Sequence, residues 1–282
     1  MGMLRRHKLL AWQLMLGLLV VVLLVELGHA AVSLPWSTTY NCPEQDTTTP
    51  LTCDGMGGWG NSLSSLSCVG QYAGTRRGQI TSDANYPGGL GGRGLRIWDL
   101  DGSNLSSNYT NLFFTQNYPE VYVRFYLRYS LGYTWAGTGP VYDKLLYFHG
   151  GSSPVPEIDS AEAISIQQFG TPQGSRTWAQ IMNGPTGDGL WHWYEFHLKA
   201  GITDGVAQAW VDGVLVYNYV NVNTGGGPGW NFLEIGENQA TPANNNCAYM
   251  DMDDIVIRTT GPIGPVPVDR TSPSPPTGLQ VN

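Results

Sequence analysis

The chain has 282 residues, of which 41% are hydrophobic, 11% aromatic and only 13% charged, with 37 Gly, 18 Pro and 10 Trp. So little charge excludes coiled coils and long solvated helices, and so many aromatics exclude intrinsic disorder. The net charge is −8 and Lys occurs only at Lys8, Lys144 and Lys199, so no basic face exists for nucleic acid or an anionic lipid surface.

At the N-terminus, Arg5, Arg6 and Lys8 precede an apolar run from Leu9 to Val25 that ends in Gly28-His29-Ala30. A basic start, an apolar middle and small residues at the cut site describe a secretory signal peptide, assigned to residues 1–30. No second apolar run of that length follows, so no membrane partner is expected after cleavage. Export predicts a secreted, extracellular or periplasmic protein, and a monomer is expected. Cys42, Cys53, Cys68 and Cys247 form an even set with no C-x-x-C pair, which favours disulfides over zinc. Four cysteines allow three connectivities, and sequence does not choose among them. Asn104-Leu-Ser106 and Asn108-Tyr-Thr110 match glycosylation sequons.

Residues 31–68 read as a Cys-containing loop segment, rich in Pro, Thr, Asn and Gly. From 69 to 258, short β runs alternate with Gly, Pro, Asn and Asp. Along Val121–Tyr129, Val121, Val123, Phe125 and Leu127 alternate with Tyr122, Arg124, Tyr126 and Arg128, which gives one core face and one polar-aromatic face. Further strands are expected at Leu145–His149, Ala163–Phe169, Trp178–Met182, Trp191–Lys199, Val206–Val211, Val214–Tyr219, Trp230–Ile235 and Tyr249–Arg258. Asp212-Gly213 between two β runs predicts a hairpin. No helical period follows Val25, so the chain is all-β, a sandwich of two antiparallel sheets or a barrel. Residues 259–282 form a Pro-rich tail expected to be extended and outside the core. Gly88–Gly94 has no helix after it and reads as a loop.

Three stretches carry a family resemblance: Tyr122–Arg128, Trp191–Lys199 leading into Gln208-Ala-Trp-Val-Asp-Gly213, and Tyr249–Ile257. Their order resembles the concanavalin A-like lectin/glucanase superfamily, which implies a β-jelly-roll that engages an extracellular polysaccharide on its concave face. Glu157-Ile-Asp159-Ser-Ala-Glu162 resembles the E-x-D-x-x-E arrangement of laminarinase-type hydrolases. The resemblance makes Glu157 the nucleophile, Asp159 its assistant and Glu162 the acid/base of a retaining hydrolysis. Residues at i and i+2 of a strand share a face, and a β-bulge would return the last Glu to it. Two carboxyls then stand about 5–5.5 Å apart, as that mechanism needs.

The alternative is a polysaccharide lyase acting on a uronic-acid polymer, with Tyr and His as base and acid and Arg or Gln neutralising the uronate. Its candidates are Arg124, Tyr126, Arg128, His149, His197, Gln208 and Trp210, with His192 and Tyr194 nearby. A carbohydrate-binding module without catalysis would keep the aromatic cleft alone, built from among Trp135, Trp191, Trp193, Trp210 and Trp230. The resemblance places a structural Ca²⁺ ligand at Asp253, and no cofactor is required for either chemistry.

Overall fold

The computed structural model describes residues 31–43, 52–60, 66–68, 72–74, 78–99, 108–133, 145–150, 155–159, 163–167, 184, 186–235 and 248–267. The signal peptide at 1–30, Trp135, Glu162, the strand expected at Trp178–Met182, Cys247 and residues 268–282 lie outside them.

Among the described residues the strands are, in chain order, β1 (Trp36–Thr38), β2 (Thr52–Cys53), β3 (Met56–Gly60), β4 (Leu66–Cys68), β5 (Tyr72–Gly74), β6 (Gly78–Thr81), β7 (Gly94–Asp99) and β8 (Asn108–Tyr118). They continue with β9 (Glu120–Tyr129), β10 (Leu146–Gly150), β11 (Val155–Asp159), β12 (Ala163–Gln167), β13 (His192–Lys199), β14 (Gly205–Val211), β15 (Val214–Val222), β16 (Trp230–Ile235) and β17 (Ala248–Arg258). An eight-stranded sheet runs β15-β14-β13-β9-β17-β7-β6, with β1 paired to β17, and a five-stranded sheet runs β10-β16-β8-β3-β2. Both are antiparallel. The fold is a two-sheet jelly-roll.

Alternation explains how the sheets pack. The inward residues of β9 (Val121, Val123, Phe125, Leu127), β13 (Tyr194, Phe196, Leu198) and β14 (Ala207, Ala209, Val211) are buried in one cluster with Leu112 and Phe114 of β8, Leu146 and Phe148 of β10, and Leu233 and Ile235 of β16. Each fully buried apolar side chain of this kind stabilises the fold by about 1.5–3 kcal/mol relative to exposure. Since both sheets face this one core, their outer faces lie on opposite sides of the molecule. The expected Asp-Gly hairpin joins β14 to β15, with Asp212 at φ 49° and Gly213 at φ 79°. Positive φ at both central residues is the type I′ requirement, which Asp tolerates and Gly satisfies without strain.

Two stretches expected to lie outside the roll belong to it. Within the 31–68 segment, β1 pairs with β17 and β3 with β8. Trp36 is buried, and its indole N–H donates to the Asp54 carbonyl. Local composition hides these strands because their partners are distant in sequence. The start of the Pro-rich tail, residues 261–267, is a strap over the outer face of the large sheet, and Val266 is buried there. Cys42 and Cys53 form a disulfide, which settles one pairing; the side chains of Cys68 and Cys247 lie outside the described residues. Both thiols beside Asp54 are therefore consumed, and this Cys-Cys-Asp cluster is not a metal centre. No helix among the described residues is long and apolar enough to cross a membrane.

Candidate functional site

The residues expected to converge on one cleft are divided between the two outer faces. Arg124, Tyr126 and Arg128 of β9, His197 of β13, and Gln208 and Trp210 of β14 alternate with core residues on the large sheet, so they point away from the core. His149 stands on the other sheet.

On the large sheet, the protein's own chain occupies most of these groups. Glu195, opposite Arg124, accepts the main-chain N–H of Ile263 and of Gly264, at 2.7 and 2.9 Å. The Tyr126 hydroxyl accepts the N–H of Val266 at 2.9 Å, and Tyr86 stacks on its ring at 3.7 Å. Burial pushes Tyr126 up to about 12, so it holds its proton and anchors the strap. Arg128 donates to Asp251 and to the Asp83 carbonyl. His197 lies between Glu120 (2.7 Å) and Gln208 (3.0 Å), stacked on Tyr122 at 4.0 Å, and Gln208 donates onward to Asn218. Tyr194 and Trp230 are core; Trp193 and Trp210 are half-buried.

His192 belongs to a separate bridge at the β13 end of this sheet. Its Nδ1 lies 2.6 Å from Asp212 Oδ2 and its Nε2 lies 3.2 Å from Asp188 Oδ2. Burial pulls its pKa down, but the two carboxylates outweigh burial and raise it above the ordinary 6.5. A raised histidine contributes stability that is complete below the unfolded pKa and lost as pH rises through the folded one. His192→Gln is therefore expected to lower Tm most at about pH 5, by roughly 2–4 °C per kcal/mol lost, and least at about pH 9. Melts across that range check this, and a pH-independent gap would contradict it.

The five-stranded sheet presents a different outer face. On β10, Tyr147 and His149 flank the core residue Phe148; on β16, Phe232 and Glu234 flank Leu233; on β8, Asn111 and Phe113 flank Leu112. Register aligns them in two rows across the strands. One is polar, Tyr147–Glu234–Asn111, and the other is aromatic, His149–Phe232–Phe113. His149 Nε2 lies 3.1 Å from Glu234 Oε2. The His149 side chain is 34% exposed and that of Glu234 11%, so the acid sits behind the imidazole and the imidazole faces solvent. Tyr147 packs on the His149 ring at 3.9 Å, and Phe232 at 4.9 Å. Asn111 is buried, yet its side-chain oxygen has no hydrogen-bond partner. A base oriented by a carboxylate, a neighbouring phenol and an amide left to a ligand can together move protons on a bound molecule.

Of this group, sequence reasoning found only His149. Alternation about Phe148 and Leu233 was the available signal for Tyr147, Phe232 and Glu234. Asn111 and Phe113 sit on β8, a strand disguised by its polar Asn108–Asn111 start.

Of the E-x-D-x-x-E stretch, Glu157 and Asp159 lie on β11, where Asp159 is paired with Ala163 of β12. Glu157 faces Ser165 in this pairing; Glu162 and the side chains of Glu157 and Asp159 lie outside the described residues.

Asp253, the expected Ca²⁺ ligand, lies on β17 and is held by main-chain donors. Its two oxygens accept the N–H groups of Tyr86 (2.8 Å) and Asp254 (2.7 Å). The oxygen without a partner belongs to the next residue: Asp254 Oδ2 is buried and unpaired, as is Asn85 Oδ1 on the facing loop. A Cβ on Gly89 would lie 1.9 Å from Asp254 Oδ2, so only glycine lets that loop close over the carboxylate. A carboxylate and an amide oxygen are hard donors that suit Ca²⁺.

No protein-family model matches the chain, and no curated protein matches it in sequence. Among solved structures it is similar to the alginate lyase Aly36B, with a TM-score of 0.50, 15% identity, and coverage of 81% of this chain and 98% of that one. It is also similar to Cip1, a cellulose-induced protein (TM-score 0.46, 15% identity, 72% and 94% covered). An endo-β-1,4-glucuronan lyase from the fungus Trichoderma reesei gives 0.45, 16%, 71% and 92%. At these identities the likeness is one of fold.

Proposed function

We propose that this chain is an exported jelly-roll protein that binds an acidic extracellular polysaccharide on the outer face of its five-stranded sheet and cleaves it by β-elimination. The observation that carries this reading is the His149–Glu234 pair beside Tyr147 and Asn111 on that face. Its fold likeness to an alginate lyase supports a uronate polymer as substrate class, and the Cys42–Cys53 disulfide supports an oxidising compartment.

Each residue has a role that follows from its place. The Asn111 amide, two strands along the row from Tyr147, binds the polymer so that a uronate carboxyl comes to lie beside His149. Glu234 holds Nε2 of His149, so the opposite nitrogen, Nδ1, takes the proton α to that carboxyl. The electron pair of the broken C–H bond forms the ring double bond, and the C–O bond to the leaving sugar breaks. The Tyr147 hydroxyl gives its proton to the departing oxygen. Proton exchange with water restores both groups.

The test is product analysis on glucuronan, alginate and a neutral β-glucan. Unsaturated uronate ends from an acidic polymer are expected, with the neutral glucan left intact. New saturated reducing ends on the glucan, abolished by Glu157→Gln, would replace elimination with hydrolysis at the E-x-D-x-x-E stretch.

We infer further that the structural Ca²⁺ expected at Asp253 is held instead by Asp254, with Asn85 as a second donor, and ties the loop before β7 to β17. Ca²⁺ about 100-fold above its Kd stabilises a fold by about 2.7 kcal/mol. A Tm that rises with Ca²⁺ and falls with chelator is expected. Asp254→Asn should flatten that response, because Asn accepts the φ of 48° found there and removes only the charge. Equal responses in both proteins would refute the assignment.

A further inference from the structure

The two rows on the five-stranded sheet run in one direction, across the strands. His149, Phe232 and Phe113 are successive register partners on β10, β16 and β8, and Tyr147, Glu234 and Asn111 are the partners one step along the same strands. Phe232 touches both neighbours, His149 at 4.9 Å and Phe113 at 4.6 Å with an interplanar angle of 24°. Phe113 is 39% exposed, a large apolar ring on a solvent-facing sheet surface. Asn111, beside it, carries the unpartnered buried oxygen.

From these positions we infer that the polymer lies across the strands, parallel to the rows, and that Phe113 is a distal stacking subsite that sets a preference for long chains. The inference rests on the reading of His149 as the reactive end of the row. Neighbouring strands are about 4.8 Å apart, close to the advance of one sugar ring in an extended polysaccharide, so Phe113 stands roughly two sugar rings from His149. The aromatic row receives the apolar ring faces. The polar row receives the ring substituents, with the Asn111 oxygen accepting a sugar hydroxyl. Phe113 is two strands removed from the bond that breaks, so it contributes binding shared by ground and transition states, and that changes KM without kcat.

The experiment compares the full chain with Phe113→Ala and Phe113→Trp on a long uronate polymer and on oligomers too short to span from His149 to Phe113. Phe113→Ala is expected to raise KM on the polymer roughly three- to tenfold at unchanged kcat and to leave the short oligomers unaffected. Phe113→Trp is expected to restore the polymer KM. An Ala variant with unchanged polymer KM, or with equal losses on short and long substrates, would overturn the subsite. Retardation of both proteins in polymer-containing native gels separates this from the catalytic reading. Weaker retardation of Phe113→Ala supports the subsite even where no bond is cleaved, and equal retardation, or none, rejects it.

Discussion

His149→Gln is expected to reduce formation of unsaturated ends by about 10²–10⁴-fold, the range by which a positioned base accelerates proton transfer, with an unchanged melting temperature. The side chain is one-third exposed on an outer sheet face, so its loss leaves no cavity in the core. Two further variants divide the role. Tyr147→Phe keeps the ring against the imidazole and removes only the hydroxyl, so kcat should fall while KM holds. Glu234 touches His149 and not the reacting bond, so Glu234→Gln should lower kcat less and move the pH profile of kcat/KM. Full activity in His149→Gln would end the elimination reading at this face.

The largest expected loss of stability comes from Asp251→Asn. Asp251 is fully buried on β17, between β7 and β9, and two arginines converge on it. Arg96 Nε lies 2.7 Å from Oδ1 and its Nη2 lies 3.0 Å from Oδ2, while Arg128 Nε lies 2.9 Å from Oδ2. Arg96 also lies over the Tyr249 ring at 3.8 Å, and Arg128 over Trp191 at 4.9 Å. An asparagine of the same size removes the carboxylate both guanidiniums share, leaving Arg96 only the exposed Asp83 carboxylate at 4.0 Å. Removing one partner of a buried pair costs about 3–5 kcal/mol, a drop in Tm on the order of 10 °C for a fold of this length. Thermal and urea melts measure it, and an Asp251→Asn protein as stable as its parent would show that the cluster is solvated and replaceable. The same network takes up Arg128, a substrate-binding candidate by sequence: its guanidinium donates to Asp251 and to the Asp83 carbonyl.

The sheets were legible in the sequence wherever alternation was strong and both neighbours of a core residue were polar or aromatic. Val121–Tyr129 is the plainest case, and β13, β14 and β17 follow the same pattern within a residue or two of expectation. The I′ hairpin at Asp212-Gly213 was readable because its backbone demand is local. Strands β1 and β3 were not, because short Thr- and Gly-rich segments acquire strand character only from the distant strands that pair with them. The strap over Glu195 and Tyr126 was hidden for the same reason: a Pro-rich stretch looks extended whether or not a carboxylate waits for its N–H groups.

The sequence by itself determined an all-β chain, the faces of its strongest strands, and a set of His, Tyr, Arg and Gln residues on their polar faces. Only the tertiary structure decided which of those residues meet. Alternation tells that Arg124, His197 and His149 each point away from a core, since that follows from a period of two along one strand. It does not tell which sheet each strand joins, because strand pairing is set by contacts between residues far apart in the chain. Register across β10, β16 and β8 joined His149 to Glu234, Phe232 and Asn111, and placed Arg124 and His197 on the opposite side of the molecule.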